Sequence, residues 1–414
     1  MRWTPGWTQL SRPQTIQQWT LQSTRRLISV GITFSLALCL APVTAQAQDI
    51  LLTVERYVPH VSTVPATDGD SVRLYLREKL PDTLAADMTR GERPDGKVVL
   101  FVHGGSVPSV PDYDLPFEDY SWMGFLAEAG YDTFAMDHTG YGRSPRPEMN
   151  NPCNMDEQDQ SVVTPNPLAG PCMPSYAFGL TTVESDWDEI DTVVDYILNL
   201  RNVERVSLVG WSAGGRRVGG YAARHPEKVD KLVLYAPGYD PDGSSLPTAD
   251  IPEPGVPMRL QTRETLEQGR WQSNVACENQ LDPRVRDAVW QSIMGFDTVG
   301  ASWGPPGGVM RVRAGNSGWG WNEEYAAKVE APTLILVGAE DNPEVRGVLY
   351  DDLTSAAGKV LVTMACATHF AVWETAQYKF MHQASLEWLE HGTYRGHEQG
   401  RYEVGYNGAT ETAP

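Results

Sequence analysis

Basic residues are scarce in this chain: 33 Lys and Arg stand against 53 Asp and Glu, for a formal charge of −20. A surface that acidic repels phosphate backbones, so nucleic acid is excluded as a partner. Metal-binding patterns are also missing. There is no H-E-x-x-H and no paired C-x-x-C, and no G-x-G-x-x-G opens the first helix, so neither a metal nor a dinucleotide cofactor is expected. Five cysteines are few for 414 residues, and no internal repeat is visible. Long apolar runs are lacking too. The longest, Leu27–Leu40, is too short for a comfortable membrane span.

That run has an unusual setting. Residues 1–47 hold no acid and four arginines, of which Arg25 and Arg26 precede the apolar stretch. Ala45-Gln46-Ala47 then offers a small-x-small cleavage pattern. We expect 1–47 to be a signal peptide, a mature start near Gln48, and export to the periplasm or the medium without a stable membrane span. Four cysteines would remain, an even number that permits disulfides in an exported chain. Cys153 and Cys172 bracket a proline-rich stretch with little apolar periodicity, which a bridge would staple. Cys277 and Cys366 are either a second bridge or two buried thiols.

What the chain does have is an alternation of strands and helices. Val72–Glu78 alternates apolar and polar, as a half-buried strand does. Lys97–Val102, Tyr131–Met136, Val206–Val209, Lys231–Tyr235, Pro332–Val337 and Lys359–Met364 are apolar runs suited to strands covered on both faces. Helical patterns lie between them at Tyr120–Ala129, after Thr181, after Ser212, at Glu344–Leu353 and at Phe370–Leu389. Thr181-Thr182-Val183-Glu184 has the form of a capping box, and Glu184, Asp186, Asp188 and Glu189 crowd a helix start where the dipole favours acids. Val183, Trp187, Ile190, Val194 and Ile197 keep the spacing of one buried face. Such alternation predicts an α/β class with a mainly parallel twisted sheet and helices on both faces. We divide the chain into a core at 48–237 with an insertion at 145–179, a mostly helical cap at 238–328, the rest of the core at 329–391, and a loose polar tail at 392–414.

Within this frame Gly210-Trp211-Ser212-Ala213-Gly214 lies between a strand and a helix. A sharp strand-to-helix turn exposes a serine hydroxyl beside free backbone N–H groups. It also brings backbones so close that only small residues fit two positions to either side. Motifs and order together resemble the α/β-hydrolase fold family from about Ser71 to His391. The resemblance implies that Ser212 is the nucleophile of a Ser–acid–His series. It places the acid at Asp341, with Glu340 its neighbour and Asp240 the site of a less common variant. It places the base at His369, in Thr368-His369-Phe370 after the last strand. The oxyanion donors would be the amides of Ala213 and, from His103-Gly104-Gly105, of Gly105. Ser106 and Trp211 are candidate substrate contacts, although the tryptophans of 238–328 serve equally well as that segment's own core. His103 and His138 are expected to be structural. Arg216 and Arg217 sit where the helix dipole disfavours cations, and carboxylates of the cap or of the 145–179 insertion are their candidate partners.

The implied function is an exported serine esterase that acts on a small-molecule ester and needs no cofactor or metal. Lactonase, amidase and C–C hydrolase share the same triad. A non-catalytic binding protein of the fold is the alternative from another class.

Overall fold

The computed structural model describes residues 50–94, 96–248, 250–316, 318–375 and 377–406, and the backbone of 410–412. The expected signal peptide lies outside these residues. Ten strands form one sheet in the order β1 (Leu51–Val61), β2 (Ser71–Pro81), β4 (Asp132–Met136), β3 (Val98–Val102), β5 (Val206–Trp211), β6 (Val229–Tyr235), β9 (Thr333–Gly338), β10 (Lys359–Met364), β11 (Gln399–Val404) and β12 (Thr410–Thr412). From β4 to β11 every pairing is parallel. β1, β2 and β12 add antiparallel edges. Every residue of β3, β4, β5 and β9 is buried, which is why these strands read as unbroken apolar runs.

Helices cover both faces. The helix Val183–Arg201 buries Val183, Trp187, Ile190, Val194 and Ile197 against one face, as its periodicity predicts. Its start corrects the expected capping box by one residue. Thr182 is the N-cap, and its reciprocal partner is Ser185, not Glu184. The other face packs against the helices Trp122–Glu128 and Gln377–His391.

Between β6 and β9 the chain leaves the sheet. It forms an antiparallel pair, β7 (Met258–Thr262) with β8 (Val309–Arg313), and the helix Pro283–Phe296 with short turns. The expectation of a mostly helical segment missed this strand pair. Met258, Val309, Met310 and Val312 are buried, yet arginines separate them in sequence. Arg311 and Arg313 are themselves bonded internally while Arg259 is exposed, so the apolar pattern is masked.

Three further readings need correction. β1 was not expected. Pro59 interrupts its pattern, which an edge strand tolerates and a central one does not. The segment 392–414 is no loose tail, because β11 pairs with β10 and buries Tyr402 and Val404 on alternate positions. The last helix starts at Gln377, not Phe370, and a short 3-10 turn at Ala371–Trp373 precedes it. Both cysteine pairs are bridged, Cys153 to Cys172 and Cys277 to Cys366, with Cα separations of 5.4 and 5.5 Å.

One core histidine makes a pH test. His382 stacks on Trp122 and Phe125, with ring centroids 5.7 and 5.2 Å away. Burial pushes its pKa down to about 3, with Asp119 opposing and Lys379 assisting. The unfolded chain takes up a proton here below about pH 6.5 that the folded chain refuses until about pH 3. This histidine's share of stability is therefore present above that window and lost as pH falls through it. The His382→Phe variant keeps an aromatic ring and removes the titration. Between about pH 6.5 and 4 its unfolding free energy should fall less steeply than that of the native chain, by ~1.4 kcal/mol per pH unit. Parallel slopes in chemical denaturation would contradict this.

Candidate active site

Ser212 stands at the end of β5 with φ 57° and ψ −118°, a conformation that L residues rarely adopt. Its surroundings hold it there. Its N–H donates to the Tyr235 carbonyl at 2.9 Å, and its own carbonyl accepts from Gly238 at 3.1 Å and Arg216 at 3.2 Å. The flanking glycines are sterically required. A Cβ on Gly210 would stand 2.7 Å from the backbone of Gly214 and Gly215, and one on Gly214 would run into the carbonyls of Val102 and His103. The turn at Ser212 is thus wedged against the end of β3.

The loop after β3 is fixed as tightly. His103 is fully buried, and its Nε2 accepts from the His138 N–H at 3.1 Å. That leaves the proton on Nδ1, which donates to the Gly104 carbonyl at 2.7 Å. Burial, with His138 and Arg217 nearby, holds its pKa well below the ordinary value, so the ring is neutral. The Gly104 N–H donates to Asp112 at 3.1 Å, and the Tyr141 hydroxyl donates to the Gly105 carbonyl at 2.6 Å. Tyr113 joins the two strand ends. Its hydroxyl donates to the Val102 carbonyl at 2.7 Å and accepts from Trp211 N–H at 2.9 Å. Gly105 and Ala213 are neighbours: a Cβ on the first would lie 3.4 Å from that of the second. Among the described residues, neither amide donates to a protein acceptor. Two free donors converging beside a serine suit a developing oxyanion.

His369 lies on the loop between β10 and the last helix. Its Nδ1 is 2.8 Å from Asp341 Oδ2, and Asp341 lies on the loop just after β9, which ends at Gly338. Arg346 also reaches this carboxylate, at 3.5 Å. Glu340 is exposed beside it, and Asp240 is exposed in a separate turn. Ser212, His369, Gly105, Ser106 and Trp211 share one small pocket. The indole N–H of Trp211 donates to the His369 carbonyl at 2.9 Å, so this tryptophan holds the histidine loop rather than facing a ligand alone.

Sequence reasoning missed Glu374. This buried carboxylate accepts from Thr368 N–H at 3.0 Å, Thr368 Oγ1 at 2.5 Å, Trp271 Nε1 at 3.1 Å and Gln280 Nε2 at 2.8 Å. Burial raises its pKa and those donors oppose the rise. It ties the histidine loop to the segment between β6 and β9. The bridge from Cys277 to Cys366 makes the same connection covalently. An acid set directly after the apolar run Phe370–Trp373 was the available signal.

Arg217 also differs from expectation. Its Nε is 2.7 Å from Asp186 on the helix Val183–Arg201, and its Nη1 donates to the His103 carbonyl at 3.1 Å. Arg313 of β8 binds the same carboxylate through two contacts, at 2.6 and 3.0 Å. Beside them His138 Nδ1 is 2.8 Å from Glu189. His138, Asp186 and Glu189 are close enough to chelate a cation, but Asp186 is already committed to two guanidiniums. Arg216 forms no ion pair among the described residues; its guanidinium donates to Asn316 Oδ1 at 3.4 Å.

Residues 97–273 match the family profile described as the alpha/beta hydrolase fold. The fold is that of the α/β-hydrolases. Solved α/β-hydrolases resemble it at low identity. A monoacylglycerol lipase from Paleococcus ferrophilus is 22% identical, with 70% of this chain and 93% of that one covered and a TM-score of 0.41. A thermophilic esterase from Thermogutta terrifontis is 17% identical, covering 81% and 98%, with a TM-score of 0.47. A carboxylesterase from Bacillus subtilis is 14% identical, covering 82% and 92%, with a TM-score of 0.46. No curated protein matches in sequence. Among the described residues of this α/β-hydrolase, no helix is long and apolar enough to cross a membrane.

Proposed function

We propose that the chain is an exported serine hydrolase of carboxylic esters, with Ser212 as nucleophile, His369 as general base and Asp341 as the orienting acid. One observation carries the reading. His369 is bonded through Nδ1 to Asp341 at 2.8 Å, and it shares a pocket with a serine held at φ 57°. The Asp341 bond fixes the proton on Nδ1 and leaves Nε2 to take the proton of Ser212 Oγ. The serine oxygen attacks the ester carbonyl, and the resulting oxyanion is held by the amides of Gly105 and Ala213. Collapse expels the alcohol, which takes the proton from His369. Water then enters, is deprotonated by His369, and releases the acid from Ser212. Residues 238–328 act as a cap over this site. The two disulfides and the N-terminal segment support export.

Labelling with a fluorophosphonate, followed by peptide mapping, tests the assignment. The label should fall on Ser212 alone, and p-nitrophenyl esters of short acyl chains should be hydrolysed. A folded protein that takes no label would overturn the nucleophile. A label elsewhere would move it.

A further inference from the structure

Ser212 and Ala213 also line a much larger cavity, of about 750 Å³, whose wall does not include His369. Five arginines reach its wall: Arg216, Arg217, Arg259, Arg270 and Arg313. Asp159 is the one carboxylate there. It faces Arg259 and accepts the Leu260 N–H at 2.9 Å. Arg217 and Arg313 are balanced from behind by Asp186. Arg216, Arg259 and Arg270 form no ion pair among the described residues. In a chain of charge −20, this wall is the exception.

The arrangement favours an anion. Arg216 is half-buried in the first turn of the helix Ala213–Ala222, where the dipole opposes a cation, and Arg217 is its sequence neighbour. Arg270 lies over the Phe370 ring at 5.5 Å and donates to Ser106 at 2.5 Å, bringing a guanidinium to the edge of the oxyanion loop. Arg259 and Arg270 are exposed at the cavity wall, and unpaired guanidiniums on one wall are stabilised when a carboxylate enters between them, since planar bidentate pairing is what arginine does best.

The two pockets also separate the ends of the substrate. The leaving alcohol must lie against His369, which protonates it. That side is the small pocket, closed by Trp211, Val107 and Phe370. The acyl chain is left with the arginine-lined cavity. We propose that the enzyme's substrates are esters of a small alcohol whose acyl part ends in a carboxylate, that is, monoesters of dicarboxylic acids. This rests on the serine-hydrolase reading above and names the substrate class of that same site.

The test compares methyl monoesters of linear diacids, from succinate to suberate, with methyl esters of monoacids of equal chain length. At least one diacid monoester should exceed its neutral counterpart about tenfold or more in kcat/KM, the size of one charge-assisted hydrogen bond. The advantage should shrink as salt is added. In Arg216→Gln and Arg270→Gln the ratio of the two rates should fall toward one, mainly through KM. The ratio is internal to each variant, so a general loss of activity does not mimic the effect. Equal rates in the native enzyme, or preference for the neutral ester, would overturn the proposal while leaving the serine hydrolase intact. A second readout needs no catalysis. The free diacid of the favoured length should raise the melting temperature of the native protein more than the monoacid does. If no ester is cleaved and Ser212 takes no label, the hydrolase reading fails by itself. The diacid shift then decides the anion site: a shift upholds it, and none overturns it.

Discussion

Ser212→Ala should lower ester turnover by about five to six orders of magnitude while the protein keeps its melting temperature. Removing the nucleophile of a triad costs on that scale, because histidine and acid act only through it. The fold should not suffer. An alanine at 212 keeps the backbone bonds to Tyr235 and from Gly238 and Arg216, which hold the turn. No side-chain hydrogen bond from Ser212 caps the following helix. The oxyanion amides of Gly105 and Ala213 remain, so a residual rate above that of water is expected from them and from binding. Steady-state kinetics with an activated ester, together with loss of the fluorophosphonate label, would check this. A variant that retained even a hundredth of the activity would exclude Ser212 as nucleophile. Unchanged ligand affinity with no turnover in either protein would point instead to a binding protein.

The second large effect is on stability. Asp186→Ala removes the carboxylate with which Arg217 and Arg313 both pair. Both side chains are at most 6% exposed. Although burial alone would raise the Asp186 pKa, Arg313 and Arg217 hold it well below the carboxylate range, so the charge removed is a full one. Breaking such a buried arrangement from one side costs about 3–5 kcal/mol. Activity should fall as well, because Arg217 also holds the His103 carbonyl, two residues before Gly105. Urea unfolding and kcat/KM of the same variant would report both. A loss below about 1 kcal/mol, the worth of an exposed pair, would mean that Asp186 does not bear on these arginines as described.

The same residue shows where the sequence was legible and where it was not. The central strands were readable because each is buried on both faces and shows as an apolar run. The turn at Ser212 was readable because its geometry admits so few residues. Order along the chain then nominated Asp341 and His369, which lie 2.8 Å apart. Asp186 and Glu189, in contrast, were read as acids soothing a helix dipole. Both are buried, and they face Arg313, Arg217 and His138 from other elements. Partners brought together from residues 138, 186, 217 and 313 leave no local signature. Glu374 was hidden for the same reason, since two of its donors lie some hundred residues upstream. β11 was hidden because only Tyr402 and Val404 mark its buried face among charged neighbours.

Trp211 adjoins the reacting serine in sequence, and its ring lies 5.2 Å from that of Trp373, which in turn lies 5.3 Å from Trp271. The indole of Trp211 is also hydrogen-bonded to the histidine loop. Three indoles in a row at such spacing pass excitation along one another, and the first of them touches the reaction. Formation and decay of an acyl group on Ser212 would therefore register in the protein's own emission. Each turnover would carry an optical signal, with no chromophore needed on the substrate.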